Sequence, residues 1–451
     1  MDTSCSGVRI CAALLLGLAT VVPAWGQDDV EQGSTLPIDL PTALRLADER
    51  NLDVAIYVER VAEASARVAE ARALAVPTLR IGGDYARHTG NIQETSGRVI
   101  DADRASRFAG AGVGLSVEIA DAIFAPLVAK QDRAALVAAA SANRHEVFVD
   151  VAAAYLRLLE SRAAREVVQR ALERALDLAR LTADYAEAGE GLLADAEMAA
   201  VEPLLWEQRR LAIEEQTSTA AAELVRLLHL DAGVALEPTE NEVPMLELVP
   251  IDVDVEALVA RALADRPETE QYDALVAAAE ADLKAQRYAL FIPGVSLDYS
   301  TGRFGGALGS SIDDTGDRTD LALTLSWRFD GLGFGHRART DEKRAQLRRV
   351  GLERDRLRDA IAAEVRESYA RARSFKQQIE FADRAVARAQ SAYGLNRDRI
   401  YDQEGLPLEA LQAMQTLAAA EVAQVEARAE YSLAQIRLYT ALGSPLTSQF
   451  P

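Results

Sequence analysis

Cysteine, histidine and basic charge are all in short supply in this chain, and each shortage removes a class of chemistry. Its two cysteines, Cys5 and Cys11, both fall within residues 1–26. That stretch reads as a secretory signal: Arg9 opens it, Ile10 to Val22 is a short apolar core, and Ala24-Trp25-Gly26 carries small residues where a peptidase needs them. Cleavage would leave Gln27 first and no thiol for a disulfide, an iron–sulfur cluster or a lipid anchor, so the exported chain is expected to be unlipidated and held by packing alone. The four histidines, His88, His145, His229 and His336, lie far apart in sequence and form no ligand spacing for a metal. Lys and Arg number 49 against 70 Asp and Glu, a net charge of −21, which argues against a nucleic-acid partner that would need basic surface. After Val22 no apolar run approaches the roughly 20 residues of a membrane-spanning helix. A soluble protein, a peripheral one or an inserted β-barrel remain.

Motifs of catalysis are equally scarce. Gly331-x-Gly333-x-Gly335 joins a strand to a helix but lacks the dinucleotide spacing and any parallel βαβ surroundings, so it reads as a flexible corner. There is no phosphate-binding G-x-x-x-x-G-K-[ST] and no G-x-S-x-G elbow. The expectation is a protein with no enzyme activity and no cofactor, whose energy must come from elsewhere.

What the chain does have is two periodicities. Leu321, Leu323, Leu325, Trp327 and Phe329 fall on one face of a strand and Asp320, Ala322, Thr324, Ser326 and Arg328 on the other. From Arg337 to Asp402 no proline interrupts, and Ala372, Phe375, Ile379, Ala382, Val386, Ala389 and Tyr393 alternate spacings of three and four. A helix of that length is a rod of roughly 100 Å. No compact domain needs one.

The same order of elements occurs twice. A helical pattern from Pro41 to Ala75 stops at Val76-Pro77; Leu79, Ile81, Gly83 and Tyr85 then alternate, a polar loop His88 to Arg107 follows, and Val113, Leu115, Val117 and Ile119 alternate again. Pro126 suits a first helical turn, the pattern runs to about Ala188 and ends at Gly189-Glu190-Gly191, and a returning helix from about Leu192 to Leu230 carries Pro203, which should kink or split it. The second round has a helix from Val255 to Leu290, strand Val295 to Tyr299, a Gly-rich loop and the strand and rod already described. Pro77 and Pro293 are 216 positions apart, as are Tyr185 and Tyr401, and Gly189 and Gly405. We therefore expect a signal at 1–26, a first repeat at 27–235 with a hairpin at about 78–119, a linker at 236–253 bearing Pro238, Pro244 and Pro250, and a second repeat at 254–451 with a hairpin at about 295–329.

Strands of about nine to eleven residues with one apolar face suit a tilted membrane strand. Four strands cannot close a barrel, so several copies must share one sheet if the edges are to be satisfied. On this reading Leu115, Val117, Leu323, Leu325 and Trp327 face lipid, with Leu79, Ile81, Tyr85, Val113, Ile119, Val295, Leu297, Tyr299, Leu321 and Phe329 beside them. Arg80, Asp84, Glu118, Asp298 and Arg328 face a watery lumen. A soluble sheet with one face on a core uses the same alternation, and long helices also make plain stalks, so a periplasmic coiled-coil scaffold or adaptor stays open beside a conduit.

Taken in order, the elements resemble the TolC family of outer-membrane efflux and secretion channels over essentially the whole mature chain. The matching residues are Pro77 and Pro293 before the first strand of each half, Leu325-Ser326-Trp327-Arg328-Phe329-Asp330-Gly331, Tyr185 with Gly189, Tyr401 with Gly405, and Ala441-Leu442-Gly443. The resemblance implies a mainly α fold with a small β part: duplicated hairpins and long antiparallel coiled-coil helices, assembled as a homotrimer whose twelve-stranded β-barrel continues into a periplasmic α-barrel. It implies partners too, a periplasmic adaptor protein, an inner-membrane pump and outer-membrane lipid, with small-molecule efflux as the default and type I protein secretion as the alternative. Acidic residues after the Gly turns narrow the periplasmic entrance in the family, and Glu409 and Gln412 take those positions here, with Asp195 as the first-repeat counterpart and Gly189 and Gly405 as the turns.

Overall fold

A computed structural model describes residues 35–76, 78–327, 329–401 and 407–450. The signal segment, Pro77, Arg328 and Gly405 lie outside the described residues, as do both cysteines.

The element order is β1 (Thr35–Ile38), α1 (Leu40–Arg50), α2 (Leu52–Ala73), β2 (Thr78–Gln93), β3 (Val99–Glu118), α3 (Ile119–Glu187), α4 (Leu193–Leu227), β4 (Ala235–Pro238), α5 (Val255–Asp265), α6 (Pro267–Tyr288), β5 (Gly294–Leu308), β6 (Gly316–Ser326), α7 (Phe334–Tyr401) and α8 (Pro407–Ala441). Two helices are very long: α3 has 69 residues and α7 has 68, each roughly 100 Å. The helices expected over 41–75 and 255–290 are each broken in two. Asn51 turns the chain out of the helix, and its side chain accepts from the amides of Asp53 and Val54 to start the next one. Arg266 breaks the helix of the second half without a side-chain cap, because Pro267 disfavours helical backbone before it.

The long helices arrange the rest into a single layer. Near the sheet, α2 packs along α3 and α6 along α7; farther away α4 and α8 take those places. In both zones α3 lies inside the layer, touching α6 or α8 of the other half. The layer therefore ends at α2 and α4 on one side and at α7 on the other. Pro203 does not split α4, which runs unbroken from Leu193 to Leu227. Ala199 and Trp206, one turn to either side, are both buried in the core with Leu411 and Met414 of α8, and that packing holds the helix through the missing hydrogen bond. Pro126 lies inside α3, beyond its first turn, since α3 starts at Ile119 directly after the strand.

The hairpins are taller than the alternation suggests. The polar segment His88 to Arg107 is not a loop: β2 and β3 pair continuously from Thr78↔Gly114 to Gln93↔Val99, so the turn is Glu94 to Arg98. Polar side chains end the apolar face without ending the backbone ladder, because ladder bonds do not depend on what the side chains face. Part of the stretch read as a linker is strand as well, β4 pairing parallel with β1. The remainder is tied down by Gln435, whose carbonyl oxygen accepts from the amides of Leu248 and Val249.

Candidate channel wall and tip

The four main strands form one antiparallel sheet in the order β2-β3-β5-β6, with β2 and β6 as its edges. Because α2 feeds β2 and β6 feeds α7, each free edge of the sheet continues a free edge of the helical layer.

Register sorts the side chains by face. Val117, Val295 and Leu325 share a row; so do Leu115, Leu297 and Leu323, and then Leu79, Val113, Tyr299 and Leu321. Leu321, Leu323, Leu325, Trp327 and Phe329 are all exposed, Leu323 at 68%, and among the described residues no core covers this face. The apolar run from Phe329 gives out at Thr319, whose hydroxyl meets that of Thr301 at 3.2 Å, and at Asp317, which pairs in register with Arg303. Within β6, the apolar side chains from Leu321 to Leu325 span roughly 14 Å of strand.

The opposite face carries Glu118, Asp298 and Asp84, the last in register with Phe108. Arg80 takes a position on that face opposite Gly112, and Arg328 lies outside the described residues. Glycines crowd this side: Gly82, Gly110 and Gly302 form one row with Arg318. A Cβ on Gly302 would lie 2.5 Å from the Gly110 Cα, so the neighbouring backbones depend on its absence.

The far ends of the long helices meet as a tip. Gly189 has φ of +79°, and the amides of Glu190 and Gly191 both donate to the Tyr185 carbonyl at 3.0 Å, a left-handed helix stop that needs glycine. The Tyr185 hydroxyl donates to the Ile400 carbonyl at 2.9 Å, tying the end of α3 to the end of α7. Asp195 and Glu409 occupy the first turns of α4 and α8. Glu409 is in an ion pair, its carboxylate 2.9 Å from Arg399. Gln412 is exposed one turn on, and Gly405 lies outside the described residues.

Two charged features escape sequence reading because their members are far apart in the chain. Arg174 of α3 binds Glu421 of α8 through both guanidinium ends, at 3.0 and 3.2 Å, in a largely covered position. Burial, then the carboxylates of Glu426 and Glu430, push Glu160 up to about 7, with Arg157 opposing. Only the α3/α8 seam brings these groups together.

Comparison with known proteins follows the same lines. Residues 258–444 match the sequence model of the outer membrane efflux protein family. No curated protein matches the chain by sequence. Among solved structures it is similar to the outer-membrane channel OprN, with a TM-score of 0.78 at 18% identity over 90% of each chain. It is similar to the outer membrane protein VceC of Vibrio cholerae, with a TM-score of 0.76 at 18% identity over 90% of this chain and 96% of that one. A membrane protein from Pseudomonas aeruginosa gives 0.77 at 20% identity, over 95% and 98%. Residues 258–444 thus match the outer membrane efflux protein family model, and the chain over nine-tenths of its length shares the TolC-like fold of these solved structures.

Proposed function

We propose that three copies of this chain close head to tail into a passive outer-membrane efflux channel. The observation that carries this reading is the pair of open edges. A layer that ends in an unpaired β6 and α7 on one side and an unpaired β2, α2 and α4 on the other is complementary to itself by rotation, and a rotation that closes gives a ring. In lipid the ring must close, because an open strand edge leaves backbone groups with no partner. Two copies would supply about eight strands, whose interior is just wide enough to be filled by side chains, whereas twelve leave a lumen. Exposed apolar side chains line both edges of the helical wall, among them Leu204 and Leu211 of α4 and Phe381 and Leu395 of α7. Covered by the next copy, they complete a helical tube on the periplasmic side.

In this assembly Leu115, Val117, Leu323, Leu325 and Trp327 meet lipid, and Arg80, Asp84, Glu118, Asp298 and Arg328 line the water. The two repeats, 27–235 and 254–451, supply half of each chain's wall apiece. Gly189, Asp195, Gly405, Glu409 and Gln412 ring the periplasmic entrance, where a periplasmic adaptor and an inner-membrane pump dock and deliver small molecules. The chain itself performs no catalytic step in this reading. An exposed apolar sheet face supports the channel over a soluble scaffold, which would have covered it. The test is fractionation with unboiled gel electrophoresis. Recovery in outer membranes as a trimer that separates on boiling is expected; a soluble periplasmic monomer would overturn the proposal.

A further inference from the structure

Two phenylalanines stand on the face assigned to the lumen, where most neighbours are small or polar. Phe108 of β3 and Phe304 of β5 are register partners, in a row with Asp84 of β2 and Gly316 of β6. Phe108 rests against the wall because the next row is glycine. A Cβ on Gly110 would come within 2.8 Å of the Phe108 Cζ, so the ring reclines over that residue. Aromatic cover of sheet glycines accounts for the lean. It does not account for the different surroundings of the two rings.

Phe304 is occupied. The Arg318 guanidinium lies 5.0 Å above its centroid, and Asp320 neutralises that guanidinium at 2.8 Å. Phe108 has the carboxylate without the cation: Asp84 sits directly opposite in register, and among the described residues no cationic group lies over the ring. Beside Phe108 is an open concavity of about 510 Å³, bordered also by Asp84, Gly82, Gly110, Gly112 and Asp298. The chain thus shows beside Phe304 what the Phe108 side lacks: a flat cation held between an aromatic face and a carboxylate. A ring presents its negative face to such a group, and the attraction grows as water is displaced.

We propose that Phe108 and Asp84 form a lumenal subsite for organic cations that carry apolar groups, three to a channel. Gly82, Gly110 and Gly112 leave room for the apolar part against bare backbone, and the carboxylate fixes the sign of the charge. This rests on the channel reading, since only there does the face line a passage. The role is that of a stepping stone, favourable enough to dwell on and open enough to leave.

The test is block of single-channel current in planar bilayers, using tetraphenylphosphonium and the anion of matching size, tetraphenylborate. Brief interruptions by the cation and none by the anion are expected. Phe108→Leu keeps an apolar cover over Gly110 and removes the π face, and should shorten the dwell time about fivefold, in line with an ordinary cation–π contact. Asp84→Asn, which leaves Phe108 in place, should shorten it as well. Equal dwell times in both variants and the wild type, or equal block by both ions, would overturn the subsite while a measurable current leaves the channel reading standing. A protein that inserts into bilayers and carries no current would defeat the channel reading itself, and the subsite with it.

Discussion

Replacing Leu323 by arginine isolates the facing of the sheet. Leu323 is in the middle of β6, flanked on its face by Leu321 and Leu325, with Leu297 opposite in register, and it is 68% exposed in the single chain. Within β6 it is the central member of the apolar run Leu321, Leu323 and Leu325, farthest from either end of that run. Arginine at the midplane of an outer-membrane barrel costs about 2–4 kcal/mol, so the three copies of the proposed ring would lose about 6–12 kcal/mol together. That is comparable to the whole stability of a typical domain. Thr324, its neighbour, points to the other face, where it pairs with Ser296. An arginine there meets water and should cost less than about 1 kcal/mol. Both variants are to be refolded into lipid vesicles and scored for the heat-modifiable trimer across a urea series. Leu323→Arg should assemble poorly or unfold at much lower urea, and Thr324→Arg should track the wild type. Equal behaviour would refute the facing, and a greater loss for Thr324→Arg would reverse it.

Other substitutions probe other levels of the structure. Glu409→Ala removes the partner of Arg399 at the tip; exposed on both sides, that pair is worth about 0–1 kcal/mol, so thermal stability should hold while cation-over-anion permeability falls. An unchanged reversal potential in asymmetric salt would discard Glu409 as an entrance residue. Burial, then Glu426 and Glu430, raise Glu160 to about 7, so its unfavourable contribution grows as pH rises from the unfolded carboxyl value toward about 7 and is constant above that. Glu160→Gln should then stabilise the protein at pH 8 by about 1–2 kcal/mol, a figure discounted for partial exposure, and change little at pH 4; urea midpoints at the two pH values decide it. Gly443 has φ of +79°, and a Cβ there would lie 2.6 Å from the Asp265 carbonyl oxygen. Gly443→Ala should cost more than the about 1–2 kcal/mol of the left-handed backbone, and Gly309→Ala, with φ of +69° and open space around it, should stay within that range. Matching losses in urea melts would show that the contact with Asp265 adds nothing.

Periodicity made much of this protein legible before any coordinates. A shift from period two to period three and a half after Phe329 marks where sheet becomes rod, because side-chain spacing is a local consequence of backbone geometry. The doubled order of elements and the shortfall of four strands are likewise arithmetic on the chain. Where the reading stopped short, backbone and side chain had parted company. His88 to Arg107 looked like loop because its side chains are polar, yet its backbone continues the ladder of β2 and β3. Helix breaks at Asn51 and Arg266 hide inside apolar patterns that run straight across them.

Sequence by itself determined the long helices, the doubled order of elements and the apolar alternation of the strands, since each is written at spacings of two, three or four residues. Tertiary structure alone decided which elements neighbour which: that α3 lies inside the wall and α7 at its edge, that Arg174 finds Glu421 and Glu160 finds Glu426, and that Phe108 comes to lie opposite Asp84. Such pairs join distant residues through register and packing, and no local period records them. The open edges are of the same kind, because an edge is a property of the folded sheet and not of the strand that forms it.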